Sequence, residues 1–158
     1  MSERPLAKVL TVSDGVHHGV RDDASGRALV DHLATAGFDV VDHRVSADGA
    51  AAVAAVLREM CDGFGGLVVT TGGTGFAPRD QTPEATRAVI ERDAPGLAEA
   101  MRACNPLGRL SRGVAGIRGR AIVVNTPGST KGCIEQLDAV VDVLPHALRL
   151  LHDTDTSH

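Results

Sequence analysis

Between residues 70 and 84 the chain reads Thr-Thr-Gly-Gly-Thr-Gly-Phe-Ala-Pro-Arg-Asp-Gln-Thr-Pro-Glu. Three glycines within four positions, Gly72, Gly73 and Gly75, weaken regular structure by roughly 1 kcal/mol each. Such a run persists where the backbone turns sharply or approaches a ligand closely. Successive N–H groups in a turn of this kind form an anion cradle, and the hydroxyls of Thr71 and Thr74 add donors. The bland alternative is a flexible connection. Two carboxylates flank the run. Asp80 follows Gly75 closely, and Asp48 precedes a helical pattern that opens at residue 49. Taken singly, each reads as a helix N-cap, although Thr82 before Pro83 suits the second helix better. Taken together beside a phosphate cradle, they would hold Mg²⁺, which takes one or two carboxylates and completes its shell with substrate phosphates.

Other polar groups recur at comparable places. Ser13 and Asp14 close the first β-rich run, and Asp22, Asp23, Ser25 and Gly26 follow shortly after. Asn125-Thr-Pro127-Gly128-Ser129-Thr130-Lys131 opens the last helical pattern, where Ser129 or Thr130 would cap a helix N-terminus that attracts anions. Arg79, Arg112 and Lys131 could supply positive charge, and the sequence does not rank them. The common nucleotide motifs are missing: no Walker A loop occurs, and the first strand is not followed by a dinucleotide-binding glycine pattern. Gly113, Gly116 and Gly119 precede a strand rather than follow one. Cys61, Cys104 and Cys133 lack metal-ligand spacing and an activating histidine neighbour, so they are expected to be inert.

The elements that must position these groups alternate. β-rich runs at Ala7–Ser13, Phe38–Val45, Leu67–Thr71 and Ala121–Thr126 are separated by helical patterns at 24–36, 49–61, about 83–92 and 94–103. A last pattern runs through about 130–151 as one helix. The continuous apolar runs at Leu67 and Ile122 mark strands buried on both faces. The expectation is therefore an α/β fold: a three-layer, mostly parallel, doubly wound sheet with helices on both faces. In such sheets ligands lie beyond the carboxyl ends of the strands, where the loops above fall. Residues 105–119 read as a loop or small excursion, and the polar tail 152–158 as frayed.

Composition narrows the function. The 158 residues suit one domain with its core at about 7–150. A net charge of -4 and 2% aromatics exclude a general nucleic-acid binder, which needs a basic face and stacking surfaces. No apolar run is long enough for a membrane helix, and the short polar N-terminus does not read as a signal peptide. Unpaired cysteines fit a reducing, cytoplasmic setting.

Taken in order, Ser13-Asp14, Asp23-x-Ser25-Gly26, Thr71–Gly75, Pro78-Arg79-Asp80, Thr82-Pro83-Glu84, Leu110-Ser111-Arg112 and Pro127-Gly128-Ser129 resemble the signature of the molybdenum-cofactor biosynthesis MogA/MoaB family. The likeness spans about residues 7 to 150. It implies a molybdopterin-binding fold, trimers or paired trimers, and Mg²⁺-dependent transfer of AMP from ATP to the phosphate of molybdopterin. Carried over by motif, Asp48 and Asp80 would be catalytic and metal-holding. Ser13, Asp14, Thr71, Gly72, Gly73, Thr74, Gly75, Ser111, Arg112, Pro127, Gly128 and Ser129 would bind the two substrates. The rival readings are a binding protein of the same fold that does not adenylylate, and an interaction domain. An NAD enzyme is remote without its glycine motif.

Overall fold

The computed structural model describes residues 3–152. The tail expected to fray, 152–158, therefore lies outside the described residues except for His152.

Six strands form one sheet. They are β1 (Leu6–Val12), β2 (Asp39–Ser46), β3 (Leu67–Thr71), β4 (Arg92–Asp93), β5 (Ala115–Arg118) and β6 (Ala121–Thr126), arranged β2-β1-β3-β6-β5-β4. The first four in that order run parallel. β5 is antiparallel to β6, and β4 to β5. Every residue of β3 and β6 is buried, as their unbroken apolar runs predict.

Helices cover both faces. On one lie α2 (Ala24–Thr35), α5 (Pro95–Ala103), α6 (Thr130–Asp138) and α7 (Leu144–Leu151), whose Leu29, Leu33, Met101, Leu137, Leu144 and Leu148 pack against Ala7, Val9, Val69 and Val124. On the other, α3 (Ala50–Cys61) and α4 (Thr82–Val89) bring Val53, Leu57, Met60 and Val89 onto Leu10, Val68 and Val123. The fold is the expected three-layer α/β arrangement.

Three details differ from the sequence reading. The last helical pattern breaks into α6 and α7, with turns at 139–143 between them. Pro145 explains the break: within a continuous helix its ring would clash with the carbonyl of residue 141 and remove a hydrogen bond, whereas it fits the first turn of α7. Residues 105–119 are not merely loop. They contain a 3₁₀ turn at Pro106–Leu110 and β5, which turns into β6 through Gly119 at φ +57. A four-residue helix, α1 (Asp14–His17), follows β1, with Ser13 accepting the Val16 amide as its cap.

The chain leaves β1 toward β2 on one side and continues with β3 on the other. The carboxyl ends of β1 and β3 thus flank the topological switch point, the place where such sheets bind ligands.

Candidate functional site

The glycine-rich turn begins where β3 ends. Its geometry requires glycine. Gly72 has φ +103, and a Cβ there would lie 2.2 Å from the Val12 carbonyl oxygen. The Gly72 amide donates to Thr126 O at 3.1 Å, and Thr82 Oγ1 donates back to Gly72 O at 3.0 Å. The turn is thereby held between β1, β6 and the start of α4. Thr82 is not the cap the sequence suggested. Gln81 occupies that position without a side-chain cap bond, and the Thr82 hydroxyl is spent on the glycine turn.

The two aspartates are not caps either. Gly49, not Asp48, precedes α3 as its N-cap, with φ +113 and no side-chain cap bond. Asp48 Oδ2 accepts the Asp14 amide at 3.0 Å, and the Asp48 amide donates to Asp14 Oδ1 at 3.0 Å. Asp80 Oδ2 accepts the Ala77 amide at 3.1 Å, closing the loop that carries it. Asp48 Oδ1 lies 3.4 Å and Asp80 Oδ2 2.9 Å from where a Cβ on Gly73 and Gly75, respectively, would stand. Both carboxylates therefore crowd the glycine turn.

Burial pushes the Asp48 carboxyl up, and the negative charges of Asp14 and Asp80 push the same way against the Asp14 amide hydrogen bond. The Arg79 guanidinium holds the Asp14 carboxyl below the usual range. Asp14 has its cation, while neither Asp48 nor Asp80 forms a salt bridge among the described residues. This hard-oxygen pair suits a divalent ion whose remaining ligands come from phosphate and water. No group of three or more His, Cys, Asp or Glu among the described residues could hold a metal alone.

A two-lobed cleft opens above the strand ends. The smaller lobe, about 450 Å³, is lined by Ser13, Asp23, Asp48, Thr71 and Gly72 among others. The larger, about 540 Å³, is lined by Thr74, Gly75, Leu107, Leu110, Ser111, Pro127 and Lys131 among others. Gly73, Asp80, Gly128 and Ser129 belong to both and form a common wall. Ser129 accepts the Gly132 amide as N-cap of α6, so the N-terminus of that helix faces the cleft. Across the wall, Thr71 Oγ1 donates to Pro127 O at 2.8 Å.

Asp14 and Arg112 line neither lobe. Arg112 staples the loop bearing Asp80: its Nε donates to Gly75 O at 2.8 Å, Nη1 to Glu84 Oε2 at 2.7 Å, and Nη2 to Asp80 O. Of the three cations left unranked by sequence, Lys131 alone lines the cleft, 86% exposed and 3.7 Å from Glu135.

Sequence reasoning missed Asn125 and the His43–Asp23 contact. Buried Asn125 donates to the Thr70 and Thr86 hydroxyls and accepts the Val114 amide, locking β3, β6 and α4 together behind the turn. His43 Nε2 lies 2.9 Å from Asp23, which caps α2 through the Gly26 amide. The signal for Asn125 was a polar amide directly after the apolar run Ala121–Val124, still inside the strand that ends at Thr126.

Residues 8–146 match the family model described as "Probable molybdopterin binding domain". The chain is 39% identical over 150 residues to a molybdopterin adenylyltransferase of Helicobacter pylori (strain J99), covering 90% of this chain and 85% of that protein. It is also 39% identical over 142 residues to the Escherichia coli K12 protein of the same name, covering 85% and 72% of the two chains. The solved structure of the molybdopterin biosynthesis enzyme MoaB from Thermus thermophilus superposes with a TM-score of 0.89 at 46% identity, covering 94% of this chain and 97% of that one. With its switch-point cleft and glycine turn in place, the chain belongs to this molybdopterin-binding family of molybdenum-cofactor biosynthesis proteins.

Proposed function

We propose that this protein transfers AMP from ATP to the phosphate of molybdopterin. The observation that carries the reading is the placement of Asp48 and Asp80 on one lobe, beneath a glycine turn that forms the wall to a second. Two lobes sharing a wall suit two polyanionic substrates whose reacting phosphates must meet, and the relatives named molybdopterin adenylyltransferase support the reaction.

In the reaction, an oxygen of the pterin phosphate attacks the α-phosphorus of ATP. The bond from that phosphorus to the bridging oxygen breaks, pyrophosphate leaves with the electron pair, and a phosphoanhydride joins AMP to the pterin. The protein's part is positioning and charge. Amides of residues 73–75, beyond the Gly72 amide that is bound to Thr126, and of the first residues of α6 donate to phosphate oxygens, and Lys131 adds a point charge. Asp48 and Asp80 would hold Mg²⁺, which when bound neutralises charge on the leaving pyrophosphate. Ser13, Ser111 and Pro127 shape the lobes, while Asp14 and Arg112 act from outside them. The protein works as a homotrimer, or as paired trimers, in the cytoplasm; its three free cysteines accord with that compartment.

The test is incubation with molybdopterin, ATP and Mg²⁺, following pyrophosphate release and the adenylylated pterin. The wild-type protein forms product, and EDTA abolishes it. Asp80→Asn and Asp48→Asn retain fold and pterin affinity and lose most turnover. A wild type that binds molybdopterin tightly without product would make it the binding-only protein instead.

A further inference from the structure

Arg79 stands one residue before Asp80, with its side chain 64% exposed, yet its guanidinium is turned inward on the protein. Nε donates to Asp14 Oδ2 at 2.6 Å and Nη2 to Asp14 Oδ1 at 3.0 Å. Nη2 also reaches the main-chain oxygen of Asp48 at 3.0 Å. Asp14 and Asp48 meanwhile exchange amide-to-carboxylate bonds in both directions, each 3.0 Å long. These contacts close a ring through the three segments that follow β1, β2 and β3. A guanidinium bound to a carboxylate through two nitrogens is fixed in plane and direction, unlike an ammonium. Arg79 thus ties the segment bearing Asp80 to the loop bearing Asp48, with Arg112 holding Asp80 O from another side.

We propose that Arg79 is a positioning residue: through Asp14 it sets the placement of Asp48 relative to Asp80, and so the binding of a divalent cation between them. It touches neither substrate. The proposal rests on the reading of Asp48 and Asp80 given above. Its supports are that Arg79 and Asp14 line neither lobe of the cleft, and that both oxygens of Asp14 are occupied by Arg79. An arginine poised for phosphate would face a lobe with free donors.

The experiment titrates Mg²⁺ in the pyrophosphate-release assay for wild type, Arg79→Lys, Arg79→Gln, Asp14→Asn, Arg79→Lys/Asp14→Asn and Asp48→Asn, with thermal melts to confirm folding. Apart from turnover, equilibrium binding of Mn²⁺, read by loss of its free-ion EPR signal, should weaken in parallel in the Arg79 and Asp14 variants. Arg79→Lys keeps the charge and loses the fork. It is expected to raise the Mg²⁺ concentration at half-maximal rate about 10–100-fold, with the KM for molybdopterin unchanged. Asp14→Asn should match it, and the double variant should be no worse than either single, because the two side chains act as one unit. The proposal is overturned if Arg79→Lys behaves as wild type, if it raises the KM for ATP at unchanged Mg²⁺ dependence, or if the two losses multiply. Full activity of Asp48→Asn, or a wild type without turnover, would instead overturn the underlying reading and this proposal with it.

Discussion

Cysteine chemistry separates the three thiols of this chain. Burial pushes Cys61 and Cys133 up to about 11, and both sit within the layers that sandwich the sheet. Only the thiolate is nucleophilic, so at pH 8 these two are both shielded and protonated. Cys104 is exposed and lines the larger lobe. Its thiol is also raised, by partial burial and then by the Glu135 charge, so its thiolate fraction keeps growing as pH climbs past the usual thiol range. Iodoacetamide on the folded protein should label Cys104 alone, faster at pH 10 than at pH 8, and a lobe-filling ligand should slow it. Mass spectrometry of the labelled peptides decides this; prompt labelling of Cys61 or Cys133 in the folded state would contradict it. At the same scale, the two readings of Asp48 and Asp80 could not be separated by sequence. Which helix a carboxylate caps depends on a backbone angle, and Gly49 at φ +113 takes that place. Nor could Arg79 and Arg112 be distinguished from phosphate-binding arginines. Their carboxylate partners lie 65 and 28 residues away in the chain, Asp14 for one and Glu84 for the other.

At the scale of elements, legibility followed hydrophobic periodicity. β1, β2, β3 and β6 were readable, as were α2 and α3, because each carries enough apolar residues to declare a period or, in β3 and β6, an unbroken buried run. β4 has two residues, both charged, and β5 has four with a glycine among them, too few for any pattern. Gly116 in β5 has a use the sequence could not show: a Cβ there would lie 2.7 Å from Arg92 O and 2.5 Å from Ile90 Cδ1, so the strand approach depends on it. The turn after β3 was readable as special, and its physics supports a sharp prediction. Gly72→Ala would force a side chain into a left-handed backbone and against the Val12 carbonyl. The conformational strain alone costs about 1–3 kcal/mol, and the clash with main chain adds to it. Denaturant unfolding should show at least that loss. An unchanged midpoint would mean that the turn relaxes and is not locked by β1.

For the molecule as a whole, the sheet divides the core into two apolar layers, one under α2, α5, α6 and α7 and one under α3 and α4. Both layers rest on the same buried strands, so they should melt together. Leu57→Ala in one and Leu144→Ala in the other, each at a fully buried site, should each cost about 2–5 kcal/mol and leave a single cooperative transition. Two separated transitions in chemical denaturation would show that the layers are independent units.

The common wall of the cleft has a consequence for how ligand preference can drift. Gly73, Gly128, Asp80 and Ser129 build it, and a Cβ on Gly128 would lie 3.4 Å from Gly72 Cα, so two turns of main chain touch there. The two side chains of this seam are committed within the fold, Asp80 to the Ala77 amide and Ser129 to the α6 cap, so it offers mutation little to reshape. Divergence must come from the outer banks, where Leu107 and Leu110 stand on one margin and Arg21 and Asp22 on the other. Proteins that part company in what they bind would then remain superimposable along the seam and differ only at those margins.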